Sequence, residues 1–148
     1  MPPIDPPVSA QELQILSTKA IAAKGVAHCP YSNFRVGACL LTASGEYVVG
    51  ANVENVSYPI VSLEAQSLFV LAIAEYTAPG CGHKDFKAIA VASDIKPGAS
   101  PCGMCRQFIR EFTTPSFPVY MYDADGAYTM KTMGELLPDS FGPKDLLG

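Results

Sequence analysis

The stretch Pro101-Cys102-Gly103-Met104-Cys105 carries the clearest chemical signal in the sequence. Two cysteines spaced this way at a helix start present their sulfurs one turn apart, and a helix N-terminus favours thiolate over thiol. Two thiolates are half of a structural zinc site, or two of the three protein ligands of a catalytic one. A thioredoxin-like redox pair is a second reading of the same spacing, and two packed thiols a third. Other donor atoms are scattered along the chain at His28, Cys29, Cys39, Cys81 and His83. Glu64 falls in the first turn of a predicted apolar helix. The helix dipole stabilises a carboxylate there, and an apolar pocket would tune it as a general acid or base. Without a metal, Cys102 is a candidate nucleophile.

The elements that must position these groups follow from periodicity and turn chemistry. Ser9 and Glu12 have capping-box spacing, and Leu13, Leu16, Ala20 and Ala23 recur at helical intervals, which predicts a helix over 9–25. His28 to Asn33, interrupted by Pro30, reads as a loop. Val36 to Thr42 and Tyr47 to Val53 read as strands joined by the turn Ala43-Ser44-Gly45-Glu46. A polar loop over 54–62 precedes the apolar helix, Leu63 to about Tyr76, and Pro79-Gly80-Cys81-Gly82 forms the next loop. Phe86 to Ala92 is apolar on both faces, as expected of a central and parallel strand. The cysteine pair opens a helix ending near Phe112. Phe117 to Tyr122 is a strand, Asp123 to Gly126 a turn, Tyr128 to Thr132 a last strand, and an ordered tail starts near Glu135. The order α-β-β-α-β-α-β-β predicts a mixed sheet covered by helices, an α/β layered fold.

Length and composition agree. A chain of 148 residues suits a single domain, 1–148, with the proline-rich segment 1–8 as a loose tail. The hydrophobic fraction is 49% and the charged fraction 16%, which excludes intrinsic disorder. A net charge of −4 leaves no basic excess to hold nucleic acid by its phosphates. No apolar run approaches the roughly 18 residues of a membrane helix. The opening residues lack the charged and apolar regions of a signal peptide. An odd count of 5 cysteines argues against a disulfide framework. A cytoplasmic setting is expected, with neither nucleic acid nor membrane as partner.

Several motifs in a fixed order give the chain a family resemblance. They are Cys29-Pro30-Tyr31-Ser32-Asn33-Phe34-Arg35-Val36-Gly37-Ala38, Gly50-Ala51-Asn52-Val53-Glu54-Asn55, Ser57-Tyr58-Pro59, Pro101 to Gln107, Glu135-Leu136-Leu137-Pro138 and Ser140-Phe141-Gly142-Pro143. With these the chain resembles the small homotetrameric cytidine deaminases, particularly their fungal members. The resemblance implies a three-layer α-β-α fold with a mixed five-stranded sheet, and a homotetramer whose neighbours complete each pocket. It implies Phe34 against a pyrimidine ring and Asn52 and Glu54 on ribose hydroxyls. Phe141 would reach in from a neighbouring subunit, and Tyr58, Leu63 and Ala65 would line the pocket.

One stretch departs from the family. Zinc deaminases follow the Tyr-Pro with a Cys or His ligand, a small residue and a catalytic Glu. Here the chain reads Tyr58-Pro59-Ile60-Val61-Ser62-Leu63-Glu64-Ala65-Gln66. Without gaps, Leu63 stands on the ligand position and Ala65 on the glutamate. Tyr58-Pro59 before it and Phe69, Ala72 and Ile73 after it support that register. A shifted register puts Ser62 on the ligand position and Glu64 on the glutamate. It needs a compensating insertion within the helix, where one residue turns a side chain by about 100°. Serine is also a weak zinc ligand. The ungapped register implies no cofactor, with Cys102 and Cys105 as the remnant of a metal pair. It implies a repurposed, zinc-independent enzyme that uses Glu64 or Cys102 on a small apolar molecule. Proton transfer, isomerisation, cyclisation or elimination would suit such a site. Two alternatives stand beside this expectation. One is a non-catalytic protein that binds a ligand or a partner subunit. The other is a zinc-dependent cytidine deaminase with an unusual third ligand and Glu64 as proton shuttle.

Overall fold

A computed structural model describes residues 7–57 and 85–147. The predicted helix from Leu63, with Tyr58, Leu63, Glu64 and Ala65, lies outside the described residues. The described chain runs α1 (Ala10–Ala23), β1 (Val36–Thr42), β2 (Tyr47–Ala51), β3 (Phe86–Ser93), α2 (Gly103–Phe112), β4 (Pro118–Tyr122), β5 (Tyr128–Thr132), α3 (Met133–Leu136) and α4 (Pro143–Leu147).

α1 begins at the predicted capping box. Ser9 Oγ accepts the Glu12 N–H at 3.2 Å, and Glu12 Oε2 accepts the Ser9 N–H at 2.8 Å. The same carboxylate takes Lys87 Nζ at 2.7 Å, which ties the start of α1 to the start of β3. α1 ends in a 3₁₀ turn over Lys24–Val26 rather than running to residue 25 as α-helix.

The sheet order is β2-β1-β3-β4-β5. β1 pairs antiparallel with β2 and β3, β3 parallel with β4, and β4 antiparallel with β5. The parallel pair needs a crossover, and α2 supplies it. Alternation along each strand divides the core between the two faces. Cys39, Leu41, Ala88, Ala90, Tyr120 and Tyr122 pack with Leu16 and Ala20 of α1. Ala38, Leu40, Ile89, Val91, Val119 and Met121 pack with Cys105 and Ile109 of α2 and Met133 and Leu136 of α3. Helices therefore cover both faces of a mixed five-stranded sheet, the α/β layering expected from the sequence. Gly37 lets β1 meet the end of α1. A Cβ there would collide with the Ala20 carbonyl oxygen and lie 2.6 Å from Lys24 N.

Two further details differ from the sequence reading. β2 stops at Ala51 rather than Val53, because Asn52 turns its side chain inward and is only 5% exposed. Val53 then forms a separate parallel bridge with His28. The C-terminal tail is more regular than expected. α3 has its own capping box, Thr132 with Glu135, and α4 follows Gly142. Among the described residues, no helix is long and apolar enough to cross a membrane.

Candidate functional site

Cys102 is the N-cap of α2, and its side chain makes no capping hydrogen bond. It is exposed, whereas Cys105, one turn on, is 2% exposed and belongs to the core on the α2 face. The two sulfurs thus flank the positive end of the helix, one turned to the surface and one to the core. Arg106 holds this loop in place. Its Nε donates to the Pro101 carbonyl at 2.7 Å, Nη1 to the Leu136 carbonyl at 2.7 Å, and Nη2 to Ser100 Oγ at 2.6 Å. One guanidinium therefore joins the loop before Cys102 to the end of α3. Sequence reasoning passed over this role, although Arg106 lies next to Cys105.

Phe34 packs against the same core cluster that contains Cys105, so the structure brings both to one face of the sheet. The Phe34 peptide is held at both ends. Its N–H donates to Ser32 Oγ at 3.0 Å, and its carbonyl accepts Asn52 Nδ2 at 2.7 Å. Asn52 Oδ1 takes the Val36 N–H at 3.0 Å. Glu54 accepts the Tyr31 N–H at 3.0 Å, the Ser32 N–H at 3.2 Å and the Ser32 hydroxyl. The Ser32 hydroxyl does most to hold the Glu54 carboxyl below its ordinary range; desolvation opposes it, and the backbone N–H groups of Ser32 and Tyr31 add to the lowering. Asn52 and Glu54 thus clasp the loop that carries Phe34.

The stem of that loop is fixed by charge. Asp94, at the end of β3, takes Arg35 Nε at 2.8 Å and Lys24 Nζ at 3.0 Å. The Arg35 bond first and the Lys24 bond second lower the Asp94 carboxyl.

Phe141 is 59% exposed. Its segment lies along α2: Gln107 Nε2 donates to the Phe141 carbonyl at 3.4 Å, and Arg110 Nε to Ser140 Oγ at 3.1 Å. Gly142 is the close point, since a Cβ there would lie 2.5 Å from Arg110 Nη1.

Of the other candidate donors, Cys81 and His83 lie outside the described residues, and Cys29 is half-buried in the loop before Phe34. Cys39 is fully buried on the α1 face, away from Cys105, and burial pushes its thiol up to about 12. His28 serves the bridge to Val53 through its backbone. Among the described residues, no group of three or more His, Cys, Asp or Glu side chains is placed to hold a metal. Cys102 and Cys105 fit two positions of a zinc site by softness and spacing.

Comparison with known proteins places this geometry. Residues 10–121 match the sequence model described as the cytidine and deoxycytidylate deaminase zinc-binding region. The chain is 36% identical to a cytidine deaminase of Sporosarcina psychrophila, over 91% of this chain and 95% of that one. It is 38% identical to a probable cytidine deaminase of Dictyostelium discoideum, over 95% of this chain and 90% of that one. The crystal structure of a cytidine deaminase from Burkholderia pseudomallei superposes with a TM-score of 0.78 at 38% identity, covering 86% of this chain and 98% of that one. These findings overturn the expectation of a zinc-free enzyme repurposed for an apolar ligand, and with it the expectation of no cofactor. That reading weighed Leu63, Glu64 and Ala65 above the pattern of the whole chain.

Proposed function

This chain belongs to the cytidine and deoxycytidylate deaminase family, and on that premise we propose that it is a zinc-dependent cytidine deaminase. The observation that carries this reading is the match to the family's zinc-binding region over 10–121, which includes Cys102 and Cys105. The reaction is cytidine plus water to uridine plus ammonia.

Cys102 and Cys105 would hold the zinc, with a third donor from the segment 58–84, which lies outside the described residues. Zinc bound in such a site provides the Lewis acidity that makes water a nucleophile near neutral pH. Glu64 is the proton shuttle. It takes a proton from the attacking water and returns it to the departing amino group at C4. This assignment requires the shifted register, with Ser62 on the ligand position, because Leu63 and Ala65 can neither bind zinc nor move a proton. Phe34 lies against the pyrimidine, Asn52 and Glu54 hold ribose hydroxyls, and Tyr58, Leu63 and Ala65 line the pocket. Phe141 enters from a neighbouring copy in a homotetramer. The 148 residues form one domain, and we place the protein in the cytoplasm acting on free nucleosides.

The test of the shuttle is Glu64→Gln. It should keep its zinc and lose cytidine turnover by at least about a hundredfold. Undiminished turnover in that variant contradicts the assignment.

A further inference from the structure

The hydroxyl of Ser32 lies between Glu54 and the Phe34 peptide, and the directions of its hydrogen bonds are forced. The Phe34 N–H can only donate, so Ser32 Oγ is the acceptor at 3.0 Å. The single hydroxyl proton is then left for Glu54 Oε1. Glu54 Oε2 is filled by the N–H groups of Tyr31 and Ser32 at 3.0 and 3.2 Å. Among the described residues, Oε1 carries the Ser32 hydroxyl alone, which leaves it an acceptor lone pair. Asn33, between Ser32 and Phe34, has a φ of 56°, a left-handed conformation that asparagine tolerates better than most residues. That turn brings the Phe34 N–H back onto the Ser32 side chain.

We propose that Ser32 is a positioning residue that fixes Glu54 and Phe34 in one geometry, so that ribose and pyrimidine are read as a single unit. The proposal rests on the deaminase reading for the roles of Phe34 and Glu54, and it deepens that reading by naming the ligand feature selected. A nucleoside with free ribose hydroxyls gains from Ser32 through Glu54 and Phe34 together; one without them gains through Phe34 alone. The hydroxyl orients Glu54 so that its open lone pair on Oε1 meets the sugar, while its acceptor side sets the height of the aromatic ring.

The experiment uses uridine and 2′,3′-dideoxyuridine, which are product-like ligands and need no turnover. Their dissociation constants are measured for the wild type, Ser32→Ala and Ser32→Thr. Ser32→Ala should weaken uridine about tenfold and dideoxyuridine, which keeps only the ring contact, about two- to threefold. Ser32→Thr, which keeps the hydroxyl, should stay within about twofold of the wild type for both. A carbon-13 titration of the Glu54 carboxyl gives a second readout. It should move up toward the ordinary range in Ser32→Ala and stay low in Ser32→Thr. Equal losses for the two ligands, unchanged uridine affinity, or an unmoved Glu54 titration overturns the positioning role. A wild type that binds uridine but fails to deaminate cytidine refutes the deaminase reading, while these differences still decide the role of Ser32. A wild type that binds neither ligand overturns both.

Discussion

Replacing Arg106 with alanine cuts the joint between the cysteine loop and the C-terminal segment. Arg106 makes three hydrogen bonds, to the Pro101 and Leu136 carbonyls and to Ser100 Oγ. Pro101 and Leu136 are both buried residues, so water replaces the lost donors poorly. A hydrogen bond from a charged donor contributes about 1.5–3 kcal/mol, and partial exposure puts these two at the lower end. The Ser100 bond is exposed and adds little. The expected loss for Arg106→Ala is therefore about 3 kcal/mol, and about half that for Arg106→Lys, which keeps one contact. Urea unfolding at one fixed protein concentration measures it. The cysteine loop loosens as well, so zinc affinity measured by chelator competition should fall about 10–100-fold. An alanine variant within about 1 kcal/mol of the wild type, or a lysine variant equal to it, refutes the argument.

Two further outcomes follow from the charges and thiols. Lys87 holds the Glu12 carboxyl below the usual carboxylate range, helped by the capping bonds to Ser9. A lowered folded value contributes stability above the unfolded value and loses it as pH falls through the folded one. Lys87→Met should therefore cost about 0.5–1 kcal/mol near neutral pH, with the gap to the wild type closing as pH falls below the unfolded glutamate value and through the lowered folded one; a gap that stays constant with pH contradicts this. Thiol labelling at pH 8 on native, zinc-free protein should modify exposed Cys102 and spare Cys39, whose thiol is fully buried and raised to about 12. Mass spectrometry reads the sites, and modification of Cys39 before unfolding would be the contrary result.

The sequence exposed the fold wherever local chemistry and pattern agreed. Ser9 with Glu12 marked the start of α1, and the two-faced apolar run of β3 marked an interior strand with a parallel neighbour. α3 was legible in principle, since Thr132 and Glu135 repeat the capping-box spacing, but four residues make too short a periodic signal. The end of β2 was not legible. Asn52 leaves the ladder because its amide serves Phe34 and Val36, a tertiary bond that no pattern of two reveals. The site was half legible. The cysteine pair announced itself by spacing, whereas Arg106 acts through carbonyls at Pro101 and Leu136, which side-chain chemistry in the sequence does not show. The zinc expectation turns on Leu63-Glu64-Ala65, where a shift of one residue exchanges the chemistry of the whole stretch.

The central claim is tested most directly by counting zinc per chain on protein never exposed to chelator, with cytidine-to-uridine conversion followed on the same sample. About one zinc per chain, with turnover that chelation removes and zinc restores, is the predicted result. Chains that carry no zinc and leave cytidine unchanged would contradict it.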